Sequence, residues 1–294
     1  MKYLKFIVAV VFSALLCGCS PSQESAQIAA TTLPVWEFSS RLCEGTPLSV
    51  ARLVTEPVSC LHDYSLNVRQ VKAAERSETI VISGAGLEDF LDDLLLNASV
   101  IDASNGIPLL CAEEDTHGEE SHHEEGHHHE EDPHIWLSPR NTVIMAGNIC
   151  NGLSARYPAY TEIFEENLTG IISDLNRLQE YGEQALSGLP CTALITFHDG
   201  FAYFAESFHL KILKAVEEES GSEASARELI ELISLVQDNR LPAVFTETNG
   251  STSAAGILAR ETGCGVFTLD LAMSGSSYFD AMYRNIDTIK EALG

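Results

Sequence analysis

The chain has 294 residues, with 43 Asp and Glu against 17 Lys and Arg, for a formal net charge of −26. A balance this acidic argues against a role on nucleic acid, which needs a basic face to neutralise phosphates, and against electrostatic docking on anionic lipid, which takes clusters of Lys and Arg. Metal cations are the natural partners of such a surface. With 45% hydrophobic and 20% charged residues, the composition is that of a globular protein whose length allows two domains.

Lys2 and Lys5 make a short basic start, and Phe6–Leu16 is a continuous apolar run. The run falls short of the roughly 20 residues a membrane span requires and suits the core of an export signal. The following Leu16-Cys17-Gly18-Cys19 resembles a bacterial lipobox. Residues 1–18 are therefore expected to be a removable signal, Cys19 the lipid-modified first residue of the mature chain, and 19–27 a polar tether. The chain would then be exported and held on the periplasmic or cell-surface face of a membrane. The alternative is an ordinary secretory signal in which Cys19 is incidental. One acyl chain binds membranes only marginally, so stable anchoring implies several chains on that cysteine.

Beyond the tether, short β-branched runs alternate with helical patterns. Strands are expected at 28–33, 48–54, 79–83 (TIVIS) and 100–103, and helices at 35–42, 68–76 and 87–98. From Pro139 to about Leu186 there is no strand signal, and apolar residues recur at helical spacing, with Tyr157-Pro158 expected to break the run in two. The alternation resumes at 192–197 (TALITF), 201–208, 227–238, 243–246 and 266–269. Strands each followed by a helix indicate parallel sheets. The expected architecture is α/β: an N-terminal lobe over 28–138, a connecting helix over 139–170, and a C-terminal lobe over 171–294. Ligands on open parallel sheets bind beyond the carboxyl ends of the strands, so the cleft between the lobes is the expected site.

Six cysteines follow the signal: Cys43, Cys60, Cys111, Cys150, Cys191 and Cys264. In an exported chain they allow up to three disulfides, and with no C-x-x-C pair among them the expectation is structural bridges or buried thiols. Of ten histidines, six (His117, His122, His123, His127, His128 and His129) lie in an acidic low-complexity stretch, 113–131, expected to be a solvated loop that collects metal weakly at several sites. His123-Glu124-Glu125-Gly126-His127 matches H-E-x-x-H, but that protease motif needs a half-buried helix, and this segment has a glycine and no apolar neighbours. Three other histidines have better-defined settings. His62 opens HDYSL, His134 lies in DPHIWLSP, and His198 follows the strand TALITF in HDGFAYF. Each alone could cap a helix or satisfy a carbonyl. Two of them lie just past predicted strands, one in each half, and convergence on one cleft would make them a metal site.

Those runs, with the turn Gly84-Ala85-Gly86-Leu87-Glu88 and the segment SGSEASARELIELISLVQDNRLPAVFTE, resemble the zinc-type substrate-binding lipoproteins of bacterial metal ABC importers, the ZnuA-like group. The resemblance covers about residues 27–294. It implies two β/α lobes joined by a rigid long helix with the metal between them, and a monomer that delivers zinc to an ABC permease and its ATPase. Carried over by motif, the ligands are His62, His134 and His198, with Asp270 in the fourth position. The family usually has Pro after that Asp, whereas here Leu271 follows, and water is the alternative fourth ligand. Manganese-type relatives place a carboxylate where His198 stands; three imidazoles with one oxygen suit tetrahedral Zn²⁺. Asp63 and Asp199, each following a ligand histidine, are expected to be supporting partners or helix caps. Two other readings are a surface adhesin retaining a structural metal, and a zinc hydrolase, for which no general base stands out. Deleting residues 113–131 is expected to leave one tight zinc ion per chain and remove the weaker ones in a zinc titration.

Overall fold

A computed structural model describes residues 26–58, 61, 64–96, 98–110, 131–216 and 224–294. Cys19, Cys60, His62, Asp63, Cys111 and the six loop histidines lie outside the described residues. The N-terminal lobe contains β1 (Ile28–Ala30), α1 (Leu33–Leu42), β2 (Val50–Arg52), α2 (Val68–Arg76), β3 (Thr79–Ile82), the one-turn α3 (Asp92–Leu95) and β4 (Ser99–Asp102). Two helices follow, α4 (Pro139–Arg156) and α5 (Thr161–Leu186). The C-terminal lobe runs through β5 (Ala193–Thr196), α6 (Ala202–Ser207), β6 (Lys211–Ala215), α7 (Ala226–Asn239), β7 (Ala243–Glu247), α8 (Ser253–Thr262), β8 (Gly265–Leu269) and α9 (Tyr278–Leu293).

Both sheets are wholly parallel, and their orders correspond: β2-β1-β3-β4 in one lobe, β6-β5-β7-β8 in the other. Strand order therefore reverses between β1 and β3 and again between β5 and β7, and such reversals open crevices at the carboxyl ends of the strands. The central strands are sealed from water, β7 along its whole length, which is why they read as unbroken apolar runs. Tyr157 interrupts the connecting stretch: its backbone (φ −127°, ψ 64°) leaves the helical region ahead of Pro158, as proline's ring demands.

Four elements depart from or extend the sequence expectation. The helix expected over 87–98 is instead a 3₁₀ turn, Asp89–Leu91, running into α3. The entry turn uses positive φ at Ala85 and Gly86, and the Glu88 side chain folds back onto β3. Strand β6 and helices α8 and α9 had no sequence assignment; β6 is an edge strand whose two lysines interrupt any apolar run. Cys43, Cys150, Cys191 and Cys264 are free thiols, three of them buried, so among the described cysteines the buried-thiol alternative holds rather than bridges. Burial in apolar surroundings pushes the Cys43 thiol up to about 12, leaving it unreactive.

One apolar core crosses the whole molecule, from Ile28 and Phe38 through Trp136, Ile149 and Leu175 to Phe245, Tyr278 and Ile286. The segment between β8 and α9 is stitched onto the other lobe. The carbonyl of Leu271 accepts from the Trp136 indole (2.7 Å), that of Met273 from Leu33 N–H (3.1 Å), and that of Gly275 from Arg52 (2.8 Å). Glu37 on α1 accepts the first N–H of α9, from Tyr278, at 2.6 Å, and places negative charge at that helix's N-terminus.

The crevice between β1 and β3 is filled by Glu88. Its carboxylate accepts from Thr31 Oγ1 (2.6 Å) and from the N–H groups of Ser83 (2.7 Å) and Gly84 (2.9 Å). Burial outweighs these bonds and pushes the carboxyl up to about 7. The folded chain thus holds a proton that the unfolded chain releases, so Glu88's contribution to stability is lost as pH rises from about 4.5 to 7. Urea melts should show wild type losing part of its advantage over Glu88→Gln between pH 5 and pH 8, because glutamine does not ionise.

Candidate metal centre

His134 and His198 come from opposite lobes and meet. Their Nε2 atoms stand 3.3 Å apart and the rings are perpendicular, at 89°, with centroids 5.1 Å apart. Two nitrogens bound to one tetrahedral zinc at about 2.0–2.1 Å are themselves about 3.3–3.4 Å apart, so the pair has the spacing of two ligands on one ion.

Each ring has a carboxylate behind it. Asp132 Oδ1 accepts both the backbone N–H and Nδ1 of His134, at 2.9 and 2.8 Å, locking the ring to its own turn. Ile135, Trp136 and Leu137 follow in the core, and Ser138 caps α4, so the turn is fixed to the interior on its far side. His198 leaves β5 beside β7, where Phe197 N–H bonds the Phe245 carbonyl at 2.8 Å. Its Nδ1 lies 3.3 Å from Glu247 Oε2 at the end of β7. That contact is an ion-pair distance without hydrogen-bond geometry; at His134, the Asp132 carboxylate on Nδ1 places the ring's proton there and directs the Nε2 lone pair outward, the usual support of a metal-binding histidine.

Both carboxylates are buried, with 8% of Asp132 and 7% of Glu247 exposed. Desolvation pushes the Glu247 carboxyl up to about 8; a divalent cation across the imidazole favours the ionised form. Two neutral imidazoles backed by two carboxylates match the charge of one divalent ion.

Two glycines make room. A Cβ on Gly200 would lie 2.7 Å from His198 Cδ2 and 3.0 Å from Cε1 and Nε2 of His134, and one on Gly250 would lie 2.5 Å from Glu247 Cγ. Tyr203 on α6 ties the site to the ends of the acidic histidine stretch. Its hydroxyl accepts from Leu110 N–H (2.9 Å) and donates to the Asp132 carbonyl (3.1 Å), while Asp132 N–H bonds the Leu110 carbonyl (2.9 Å).

Asp270 is placed differently. Asn285 brackets its backbone, its Oδ1 accepts Ala272 N–H at 2.8 Å, and its Oδ2 lies 3.3 Å from Arg284. Among the described residues, no group of three His, Cys, Asp or Glu is close enough to hold an ion. Asp132 and Glu247 stand beside the two rings; of the two carboxylates expected from the sequence as supporting partners or helix caps, Asp63 lies outside the described residues and Asp199 takes part in an interaction of its own. Asp132 adjoins its histidine and was visible in DPH, whereas Glu247 comes from another strand and only the sheet order reveals it. Gly200→Ala is expected to weaken zinc binding roughly tenfold or more, read by chelator competition, with little change in melting temperature, because the added methyl meets the ligand rings.

A sequence model of the family described as ZnuA, zinc-uptake complex component A, periplasmic, matches residues 28–292. The zinc-binding lipoprotein AdcA of Streptococcus pneumoniae is 29% identical over 310 residues, covering 99% of this chain and 61% of that relative's length. A crystal structure of ZnuA is 29% identical with a TM-score of 0.77, covering 92% of this chain and all (100%) of that one. The Zn(II)-bound ZnuA-like domain of S. pneumoniae AdcA is 26% identical with a TM-score of 0.75, covering 90% of this chain and 98% of that domain.

Proposed function

Because the chain belongs to the family of zinc-uptake complex component A, ZnuA, we propose that it captures Zn(II) in the cleft between its lobes and delivers it to an ABC-type membrane permease driven by its ATPase. The observation that carries this reading is the His134–His198 pair, two Nε2 atoms at ligand spacing from opposite lobes. His62, assigned by its motif, is the third ligand. Asp270 is engaged by Arg284 and Ala272, so water takes the fourth position. Three imidazoles and one oxygen are a borderline-soft set that suits zinc over harder cations. The role is to bind and transfer an ion, not to catalyse a reaction.

The residues flanking the histidine stretch support a collecting role. Leu110 and Asp132 are bonded to each other and to Tyr203, and Asp132 is itself the carboxylate behind His134. Ions gathered weakly there are released close to the tight site. We further assign Cys19, in the lipobox-like Leu16-Cys17-Gly18-Cys19, as the lipid anchor that keeps a monomeric chain at the membrane; no described helix is long and apolar enough to cross one.

Zinc titration of the purified mature chain tests the assignment. His134→Ala and His198→Ala are each expected to lower affinity by two orders of magnitude or more, about 2.7 kcal/mol or more. Imidazole must lose its proton to bind metal, so wild-type affinity should fall steeply between pH 7.5 and 5.5. Tight binding that survives both substitutions together would overturn the site.

A further inference from the structure

Asp270 ends β8 with its backbone immobilised: Asn285 accepts its N–H at 2.8 Å and donates to its carbonyl at 2.7 Å. Only the carboxylate can be reoriented, and both its oxygens are taken, Oδ1 by Ala272 N–H and Oδ2 by the Arg284 guanidinium. Arg284 lies nearly two turns into α9, next to Asn285, so a single helix fixes both the residue's main chain and its charge. The Arg284 side chain is 63% exposed and that of Asp270 23% exposed, so the pair sits where the core does not depend on it.

From this placement, and resting on the histidine site proposed above, we propose that Arg284 is a metal-selectivity residue. By pairing with Asp270 it keeps a carboxylate oxygen from joining the ion and leaves coordination to imidazole. The chemistry gives the direction. Carboxylate oxygen favours harder cations such as Mn²⁺, whereas imidazole favours Zn²⁺. Asp270 follows Leu269, the register partner of Glu247, which in turn lies 3.3 Å from His198, so it stands at the same strand ends as the proposed site; freed, it adds the one ligand type that narrows the gap between them. Arg284 acts through Asp270 and does not touch the ion; it is a positioning residue.

The readout is the ratio of Mn²⁺ to Zn²⁺ affinity, measured by competition on the mature chain. Removing a positive charge near the cleft raises affinity for every divalent cation alike, and the ratio cancels that general effect. Arg284→Gln should raise the Mn²⁺/Zn²⁺ affinity ratio about threefold or more, within what a partly exposed ion pair commands, while Arg284→Lys should stay near wild type. Asp270→Asn added to Arg284→Gln should abolish the gain. The inference is overturned by an unchanged ratio in Arg284→Gln, or by a gain that persists without the Asp270 carboxylate. It also falls if zinc still binds tightly to the His134→Ala, His198→Ala double variant, because the site itself is then elsewhere; an unchanged ratio with the histidines still required removes only the role of Arg284. Urea melts confirm that each variant is folded.

Discussion

Two imidazole nitrogens from different lobes, 3.3 Å apart, are the contact on which the rest of the structure depends. That spacing is held in place by structure on both sides. Asp132 fixes one ring from within its own turn and Glu247 backs the other from the neighbouring strand. Because the two rings belong to different lobes, the relation between lobes becomes part of the binding site. A shift of half an ångström in either would degrade the spacing that makes them a pair.

The lobe interface meets that demand. The apolar core is continuous through α4 and α5, and the segment after β8 is bonded to Leu33, Trp136, Arg52 and Glu37 of the opposite half. Tyr278 contributes twice, donating its hydroxyl to the Trp136 carbonyl at 2.9 Å and packing its ring against Phe38. A wide hinge motion would break this seam and expose buried aromatic surface. On the proposed function, exchange of an ion would therefore fall to local segments at the cleft rather than to whole lobes swinging apart.

Much of the architecture was legible in the chain. Runs such as TIVIS and TALITF are strands because a parallel sheet buries both faces, and Tyr157-Pro158 stops a helix because proline excludes helical backbone before it. Helix α9 was equally legible, with Tyr278, Met282, Ile286, Ile289 and Leu293 on one face, although it had no sequence assignment; the other elements that escaped notice were polar or small. Strand β6 carries Lys211 and Lys214 at a sheet edge, and α8 opens on Ser253, Ala254 and Ala255 with little apolar periodicity. At the site, His134 and His198 announced themselves by context, whereas Glu247 and Arg284 did not. Each of these acts on a residue that chain order alone does not place beside it: Glu247 reaches His198 across two adjacent strands, and Arg284 reaches Asp270 from the following helix.

The two lobes repeat the same strand order, so each presents an equivalent notch where its sheet changes direction. In the N-terminal lobe the chain supplies its own occupant: Glu88, fully sealed from water, sits on the free N–H groups of Ser83 and Gly84 as an anion would. In the C-terminal lobe the corresponding strand ends carry His198 and Glu247, 3.3 Å apart, with Gly200 and Gly250 packed against their side chains. The same position is thus used in two ways: one lobe closes it with a carboxylate of its own, and the other sets a carboxylate behind a histidine that meets the opposite lobe.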